Sequence, residues 1–186
     1  MESAEEISLT IDGRPARCAP GTTLLDAARG IGIRIPTLCH HQALHPAGAC
    51  RVCLVEDEKT GRILASCVAP AAPGMAVRTD SPAVLHHRAN VVRLMMANHP
   101  ESCILCDQGN RCRLRRIAAD LGIGRIDLDP MPRFLPYEDA NPFIVRDLTK
   151  CILCGRCIRV DRELVVVGAI DYQPRGFDAD PATLHR

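Results

Sequence analysis

The first part of the chain carries the short hydrophobic period of a β-sheet. Residues 7–12 alternate apolar and polar side chains, which predicts a strand with one buried face. The pair Asp12-Gly13 favours a hairpin turn, so we expect residues 14–19 to form the return strand.

A short helix and three further strands are predicted next. Thr23 and Asp26 have the spacing of a capping box at the start of a helix that Gly30 and Gly32 end. Short strands are then predicted over residues 51–57, 62–68 and 75–80. This order of elements predicts a small α+β domain over residues 1–80.

The segment after residue 80 has a helical period. A helix is predicted over residues 82–99, with an apolar face at Leu85, Ala89, Val92 and Met96. His99-Pro100 ends this helix because a proline disfavours helical geometry in the residue before it. A second helix is predicted over residues 112–122, and we expect residues 81–129 to form a small helical segment.

The remainder of the chain is predicted to be a connector and a second small segment. Four prolines indicate that residues 130–142 are an extended connector. Within residues 143–186 we expect a loop that enters a helix over 151–164 and a strand over 165–173.

The composition of the 186 residues narrows the class of protein. Hydrophobic residues make up 47% of the chain but aromatic residues only 3%, so the core depends on aliphatic side chains or on a non-protein group. The net charge of +1 argues against general binding to nucleic acid. The acidic start and the lack of an apolar run of about 20 residues predict neither a signal peptide nor a membrane span. We therefore expect a cytoplasmic protein with reduced thiols.

Eleven cysteines need an explanation in a chain of this length. An odd number in a reducing compartment disfavours a disulfide scaffold and favours metal binding. All but Cys18 fall into three groups, each with a Cys-x2-Cys step. Cys18 stands alone on a predicted strand, and we assign it no role.

The first group is Cys39, Cys50, Cys53 and Cys67. Four thiolates can hold a zinc ion or an iron–sulfur cluster. Zinc knuckles usually use two Cys-x2-Cys pairs, whereas the spacing x10, x2 and x13 suits a [2Fe–2S] cluster under a surface loop. The small residues 47–49 would let backbone N–H groups approach the sulfides and stabilise their negative charge. A zinc site and buried structural thiols are the alternatives.

The second group adds a histidine to three cysteines. Four potential ligands are present, His99, Cys103, Cys106 and Cys112. An imidazole can replace one thiolate of an iron–sulfur cluster. A neutral imidazole would leave a [4Fe–4S] cluster one charge less negative, which bears on its potential. The alternative for His99 is a cation at a helix C-terminus, where the helix dipole favours it.

Charged residues outside the ligand groups have less specific roles. Arginines near Cys112 form either a solvated helix face or a positive surface that offsets cluster charge or meets an acidic partner. They are Arg111, Arg113, Arg115 and Arg116. Ordinary surface or loop positions are predicted for the histidines His40, His41, His45, His86 and His87.

The third group, Cys151, Cys154 and Cys157, provides only three thiolates. Its spacing is that of the bacterial ferredoxin run, whose close cysteines bind a [4Fe–4S] cubane. Asp161 stands where a two-cluster ferredoxin would have a further cysteine, and no cysteine follows Cys157. The chain is a truncated or split version of a longer subunit, or a neighbouring chain supplies the fourth ligand, or the site holds [3Fe–4S] or nothing. We expect a [4Fe–4S] site whose fourth ligand is not in this chain.

The motifs around the cysteines resemble a known family. After TIDG and GTTLLDAA, the stretch PTLC…GACRVCLVE…ASC is similar to the β-grasp [2Fe–2S] domain of the complex I large iron–sulfur subunit. Its relatives include the diaphorase iron–sulfur subunit of NAD-reducing hydrogenases, NAD-dependent formate dehydrogenases and the N-terminal part of [FeFe] hydrogenases. The order His99-x3-Cys103-x2-Cys106-x5-Cys112 resembles the one-His/three-Cys [4Fe–4S] motif of this family. The resemblance covers residues 5–178.

The resemblance implies the fold class and the cofactors. The fold is α+β, with an N-terminal β-grasp [2Fe–2S] ferredoxin domain, a small helical one-His/three-Cys segment and a partial [4Fe–4S] ferredoxin-like segment. The cofactors are one [2Fe–2S] cluster, one His-ligated [4Fe–4S] cluster and a second [4Fe–4S] cluster with an unidentified fourth ligand.

Electron transfer in a multi-subunit oxidoreductase is the expected function. The chain has no dinucleotide fingerprint, P-loop or recognisable catalytic arrangement, so we expect no catalytic site of its own. The implied partners are a flavin/NAD(H)-binding subunit and a formate dehydrogenase, hydrogenase or quinone-reducing module. Competing interpretations are an independent soluble polyferredoxin, a non-redox zinc protein, and the N-terminal fragment of a larger catalytic formate dehydrogenase or hydrogenase chain.

Overall fold

The chain divides into two compact units, Met1–His40 with Pro46–Val91 and His41–His45 with Val92–Arg186. A computed structural model describes residues 6–100, 103–129, 137–138, 142–143, 145–173, 176 and 178–183. Strands and helices both occur, which confirms the predicted mixture of α and β structure. The predicted boundaries at residues 80, 129 and 142 stay predictions. Within the described residues, no helix is both long enough and apolar enough to cross a membrane.

A mixed five-stranded sheet organises the first unit. Its strands are β1 (Ile7–Ile11), β2 (Arg14–Cys18), β3 (Leu54–Asp57), β4 (Arg62–Ala65) and β5 (Ala76–Arg78). The strand order is β2-β1-β5-β3-β4, in which β1 and β5 are parallel and the other neighbours antiparallel. All five predicted strands are therefore present, although each is shorter than predicted.

The β1–β2 hairpin confirms the alternating pattern and the predicted turn. Leu9 and Ile11 are buried on the core side of β1. Asp12 and Gly13 have φ angles of +50° and +72°, the left-handed conformations that a two-residue type I′ turn requires. The Asp12 carboxylate also accepts hydrogen bonds from the N–H and the hydroxyl of Thr79, at 2.7 and 2.6 Å. These bonds attach the turn to the chain that follows β5.

Helix α1 (Leu24–Gly30) begins with the predicted capping box. The Thr23 hydroxyl accepts the N–H of Asp26 at 3.1 Å and donates to the Asp26 carboxylate at 2.8 Å. Four apolar residues of this helix are buried against the sheet, Leu24, Leu25, Ala27 and Ala28. Cys53 and Cys67 belong to the same core cluster, so the hydrophobic core of the sheet unit extends to the first cysteine group.

Helix α2 (Pro82–Ala97) confirms the predicted helix, but its predicted apolar face is only partly buried. Val84, Arg88 and Val92 are buried, whereas Leu85 is 41% exposed. The prediction was wrong at Leu85 because Arg88 occupies the centre of the buried face. A prediction from the period of apolar residues assigns every arginine to the surface, so it places the buried face elsewhere on the helix.

Short elements make up the described part of the second unit. Its helices are α3 (Arg113–Asp120) and α4 (Arg156–Val160), and the strands pair as β6 (Tyr137–Glu138) with β7 (Arg146–Asp147) and β8 (Ile170–Gln173) with β9 (Asp180–Thr183). Three 3₁₀ turns cover Cys103–Leu105, Gly109–Arg111 and Leu148–Lys150, and a π-helical turn covers Asp161–Val165.

The structure corrects the predicted strand of this unit and describes only a small part of the predicted connector. The strand predicted over 165–173 begins only at Ile170, because the π-helical turn and Val166, with a φ angle of +60°, precede it. The predicted connector 130–142 lies mostly outside the described residues. Residues 137–138, within that range, pair with β7.

Candidate metal centres

The first cysteine group lies in the core of the sheet unit. All four of its members are buried, Cys39, Cys50, Cys53 and Cys67. Cys53 immediately precedes β3 and Cys67 follows β4, and the pairing of Leu54 with Ala65 brings both to the same end of this hairpin. Ser66 fastens that end, since its N–H and its hydroxyl donate to the Cys53 carbonyl at 3.0 and 2.8 Å.

The four sulfurs form two pairs. The Cys39 N–H donates to the Cys50 sulfur at 3.4 Å, and the Cys50 N–H donates to the Cys39 sulfur at 3.5 Å. In the second pair, the hydrogen bond from the Cys67 thiol lowers the pKa of Cys53 to about 6 and raises the pKa of Cys67. The hydrogen bond with Cys39 likewise raises the pKa of Cys50. Cys39 also acts electrostatically on both Cys53 and Cys67, so the two pairs are neighbours.

This donor set fits a two-iron cluster, because each pair of sulfurs can ligate one iron. Backbone N–H groups of Gly48 and Val52 donate to the sulfurs of Cys67 and Cys50 and stabilise their negative charge. Gly48 has a φ angle of +61°, and a Cβ atom there would lie 3.2 Å from Val68 Cγ1. The geometry of the loop therefore favours glycine at position 48. Among the residues that the structure describes, no three or more His, Cys, Asp or Glu side chains are placed around a single metal ion, which agrees with a donor set of two sulfurs for each iron.

The second group lies on consecutive short elements of the other unit. His99 follows α2, and its Nδ1 lies 3.2 Å from the Pro100 carbonyl oxygen. Cys103 begins a 3₁₀ turn, and the Cys106 N–H donates to the Cys103 carbonyl at 3.4 Å. Cys112 is the N-cap of α3, where its sulfur accepts the Arg115 N–H at 3.5 Å. The cysteines are half-buried, and ligation by His99 stays a prediction.

The surface around this group is both apolar and positively charged. Ile104 and Leu105, inside the Cys-x2-Cys step, are 98% and 85% exposed. The predicted set of four arginines near Cys112 is exposed as well. Exposed apolar side chains beside exposed cations are typical of a surface that meets another protein.

The third group lies on the loop that enters α4. Leu153 and Gly155, on either side of Cys154, have φ angles of +53° and +65°. The Leu153 N–H donates to the Cys151 sulfur at 3.4 Å, so the loop turns its backbone toward that sulfur. Cys151 also borders a cavity of about 340 Å³ in this unit.

Tyr172, on β8, is hydrogen-bonded to this loop. Its hydroxyl donates to the Leu153 carbonyl at 3.0 Å. Burial, together with the smaller effect of the nearby Cys151, Cys154 and Cys157, raises the pKa of Tyr172 to about 12. All three sulfurs of the third group therefore lie near this one phenol. A Cβ atom added to Gly155 would lie 2.9 Å from the Tyr172 oxygen, which shows how closely the two segments pack.

Sequence reasoning missed two residues that contact the cysteine loops and misjudged a third. Tyr172 could have been noticed as one of only two tyrosines in the chain. Arg88 could have been noticed as a charge between Val84 and Val92 at helical spacing. His40 was predicted to be a surface or loop residue, but it is buried directly after Cys39.

Two family models match adjacent parts of the chain. Residues 4–82 match the 2Fe-2S iron-sulfur cluster binding domain, and residues 88–127 match the NADH-ubiquinone oxidoreductase-G iron-sulfur binding region. The first match includes all four cysteines of the buried group, and the second includes His99, Cys103, Cys106 and Cys112. Fold and site thus define an iron–sulfur protein with [2Fe–2S] and [4Fe–4S] binding regions.

Relatives of the chain come from NADH- and NADPH-linked enzymes. The mitochondrial NADH dehydrogenase [ubiquinone] iron-sulfur protein 1 of Solanum tuberosum is 37% identical over 95% of this chain and 24% of its own length. The NADPH-Fe(3+) oxidoreductase subunit alpha of Geobacter sulfurreducens is 39% identical over 91% of this chain and 20% of its own length. The chain thus spans about a quarter or less of these curated relatives.

A chain of a solved structure matches this protein over a larger share of its own length than the curated relatives do. A chain in the crystal structure of the H2-reduced NAD+-reducing [NiFe]-hydrogenase superposes with a TM-score of 0.88 at 31% identity, over 96% of this chain and 75% of that one. The protein belongs to the family of iron–sulfur subunits that includes NADH dehydrogenase iron-sulfur protein 1 and this hydrogenase chain.

Proposed function

We propose that the chain relays electrons between a flavin/NAD(H)-binding subunit and a second redox module of an oxidoreductase complex. The observation that carries this proposal is the buried double pair of sulfurs in the sheet unit. Family membership supports it, because the named relatives are NADH- and NADPH-linked oxidoreductases and a hydrogenase. The second module is a formate dehydrogenase, a hydrogenase or a quinone-reducing module, and the complex acts in the cytoplasm.

Each cysteine group has its own cluster in this proposal. The [2Fe–2S] ligands are Cys39, Cys50, Cys53 and Cys67. The first [4Fe–4S] ligands are His99, Cys103, Cys106 and Cys112. The second [4Fe–4S] site uses Cys151, Cys154 and Cys157 with a fourth ligand not yet identified. The β-grasp layout of the sheet unit is part of the same proposal.

The polypeptide would shield the clusters from water, offset their negative charge and provide a surface for a partner. Bound clusters supply one-electron redox chemistry, which no side chain of this chain supplies by itself. Burial excludes water from the first group, and backbone N–H groups such as that of Gly48 offset the negative charge of the sulfurs. The exposed Ile104, Leu105 and the arginines near Cys112 give the second group a surface for a partner with acidic and apolar side chains.

Anaerobic purification from the native host tests this function. We expect a flavoprotein to co-purify in a fixed ratio, and NADH to reduce the clusters of this complex but not those of the isolated chain. Dithionite, which needs no flavoprotein, should reduce both samples and serves as the control. A cluster-loaded chain that purifies alone and exchanges electrons with unrelated partners would be an independent carrier and would contradict the proposal.

A further inference from the structure

Arg88 is a buried cation on helix α2. Its side chain is only 5% exposed in a position where most helices place an aliphatic residue. Its guanidinium donates three hydrogen bonds, from Nε to the Val52 carbonyl at 2.9 Å and from Nη2 to the carbonyls of Leu54 and Thr79 at 2.8 and 3.1 Å. All three acceptors are backbone oxygens, so none of these bonds neutralises the charge.

The position of these bonds connects Arg88 to the first cysteine group. Val52 and Leu54 are the two residues that flank Cys53, and Arg88 holds the carbonyls of both. The chain around Cys53 is therefore fixed on both sides by a single guanidinium. Three hydrogen bonds to one planar group also fix the direction in which this segment presents the Cys53 sulfur.

The charge of Arg88 needs a negative counterpart. Burial lowers its pKa, but an arginine stays protonated in proteins, so the cation persists. The two groups that act on it favourably are the Cys53 sulfur and the carboxylate of Asp80. Asp80 is exposed and therefore screened by water, and it also pairs with Arg78 at 3.8 Å. A buried cation is costly without compensation, and the sulfur group is the buried negative charge that can provide it.

We propose that Arg88 is a positioning residue for the [2Fe–2S] site that also sets its reduction potential. The inference rests on the proposed function, because it takes the four buried cysteines to ligate that cluster. One-electron reduction adds a negative charge to the cluster, and a fixed buried cation stabilises the reduced state more than the oxidised state. Arg88 therefore raises the potential of this cluster relative to a neutral residue at the same place.

Substitutions at Arg88 separate the charge from the hydrogen bonds. Arg88→Lys keeps the cation with a different hydrogen-bond geometry, whereas Arg88→Gln and Arg88→Met remove the charge. Arg62→Gln removes a cation from the exposed face of the edge strand β4 and is the matched control. The full chain is purified anaerobically in each case, and the [2Fe–2S] EPR signal is followed during titration with dithionite in the presence of mediators.

The neutral variants are expected to have a more negative midpoint potential. We expect at least a tenfold fall in the ratio of reduced to oxidised cluster at a fixed potential, which for a one-electron couple is about 59 mV. Arg88→Lys and Arg62→Gln should stay close to the unmodified chain. Loss of the [2Fe–2S] signal in both neutral variants, with retention in Arg88→Lys, would also support the requirement for a charge.

Two results would overturn the inference. One is an unchanged potential in Arg88→Gln or Arg88→Met, which would leave Arg88 a purely structural residue. The other is loss of the cluster in all three Arg88 variants, which would show that the guanidinium bonds and not the charge are essential. Failure of the proposed function is recognised separately. A chain that carries the [2Fe–2S] signal but purifies without a flavoprotein would contradict the relay and leave the effect of Arg88 measurable, whereas an unmodified chain without this signal would remove the cluster assignment on which both rest.

Discussion

At the scale of single residues, burial of the thiolates has to be compensated. A buried thiolate loses its hydration, which by itself favours the neutral thiol. In the first group, backbone N–H groups donate to the sulfurs of Cys39, Cys50 and Cys67, and the Arg88 cation acts electrostatically on Cys53. These interactions offset the lost hydration. Such an environment suits ligands that must remain deprotonated when they bind iron.

Ligand substitutions test the separate sites. Cys53→Ser should remove the [2Fe–2S] EPR signal and leave the others unchanged, because Cys53 belongs only to the buried double pair. His99→Ala should alter or remove one [4Fe–4S] signal and leave the [2Fe–2S] signal unchanged. Cys18→Ser is the matched control, since Cys18 lies at the end of β2 outside the three groups. EPR of anaerobic samples together with iron analysis measures each loss.

The same set of variants can contradict the ligand assignments. A Cys53→Ser chain with a full [2Fe–2S] signal would show that this sulfur is not a ligand. Equal losses in Cys18→Ser and Cys53→Ser would indicate general damage to the sheet unit.

The sequence predicted the grouping of the first four cysteines better than it predicted their surroundings. Spacing alone separated the cysteines into groups, and the structure brings the first group together. Arg88 and Tyr172 escaped prediction because their roles depend on contacts with residues that are distant in sequence, at Val52, Leu54 and Leu153. Hydrophobic periodicity carries no information about a charge or a hydroxyl that finds its partner only in the folded chain.

At the scale of elements, the cysteine loops shorten the strands beside them. A strand was predicted over 51–57, but β3 begins at Leu54. Arg51 has a φ angle of +52°, and the N–H of Val52 points to the Cys50 sulfur, so this backbone cannot join the sheet. The β-propensity of residues 51–53 predicts a strand, but the backbone conformation that places N–H groups at the sulfurs prevents these residues from pairing in the sheet.

The Cys151–Cys157 loop allows a quantitative test of its packing against β8. Gly155→Ala should destabilise the second unit by about 1 to 2 kcal/mol for the left-handed conformation alone. The collision of the new Cβ atom with the Tyr172 hydroxyl at 2.9 Å should add to this cost. Gly168→Ala is the matched control, because Gly168 has a φ angle of +68° with open space around it. Midpoints of anaerobic urea denaturation, with EPR of the third cluster, provide the measurement.

A double variant identifies the collision. Gly155→Ala combined with Tyr172→Phe removes the hydroxyl, so we expect it to recover part of the stability lost by Gly155→Ala. Tyr172→Phe alone should cost about 1 kcal/mol for the lost hydrogen bond to Leu153. If Gly155→Ala and Gly168→Ala lowered the free energy of unfolding equally, and the double variant recovered none of it, the Tyr172 hydroxyl would not be in close contact with residue 155.

At the scale of the whole molecule, the chain is two units that both carry cysteine groups. The sheet unit holds the buried group, and the second unit holds the other two. The chain resembles a chain of the NAD+-reducing hydrogenase, with a TM-score of 0.88, and it is also related to NADH dehydrogenase iron-sulfur protein 1.

The most direct test of the whole account is the inorganic content of the chain prepared without oxygen. We expect a brown protein with iron and acid-labile sulfide in equal amounts, about ten of each per chain when all three sites are filled, and with distinct [2Fe–2S] and [4Fe–4S] EPR signals after reduction. A colourless preparation that contains zinc and no labile sulfide would contradict the account.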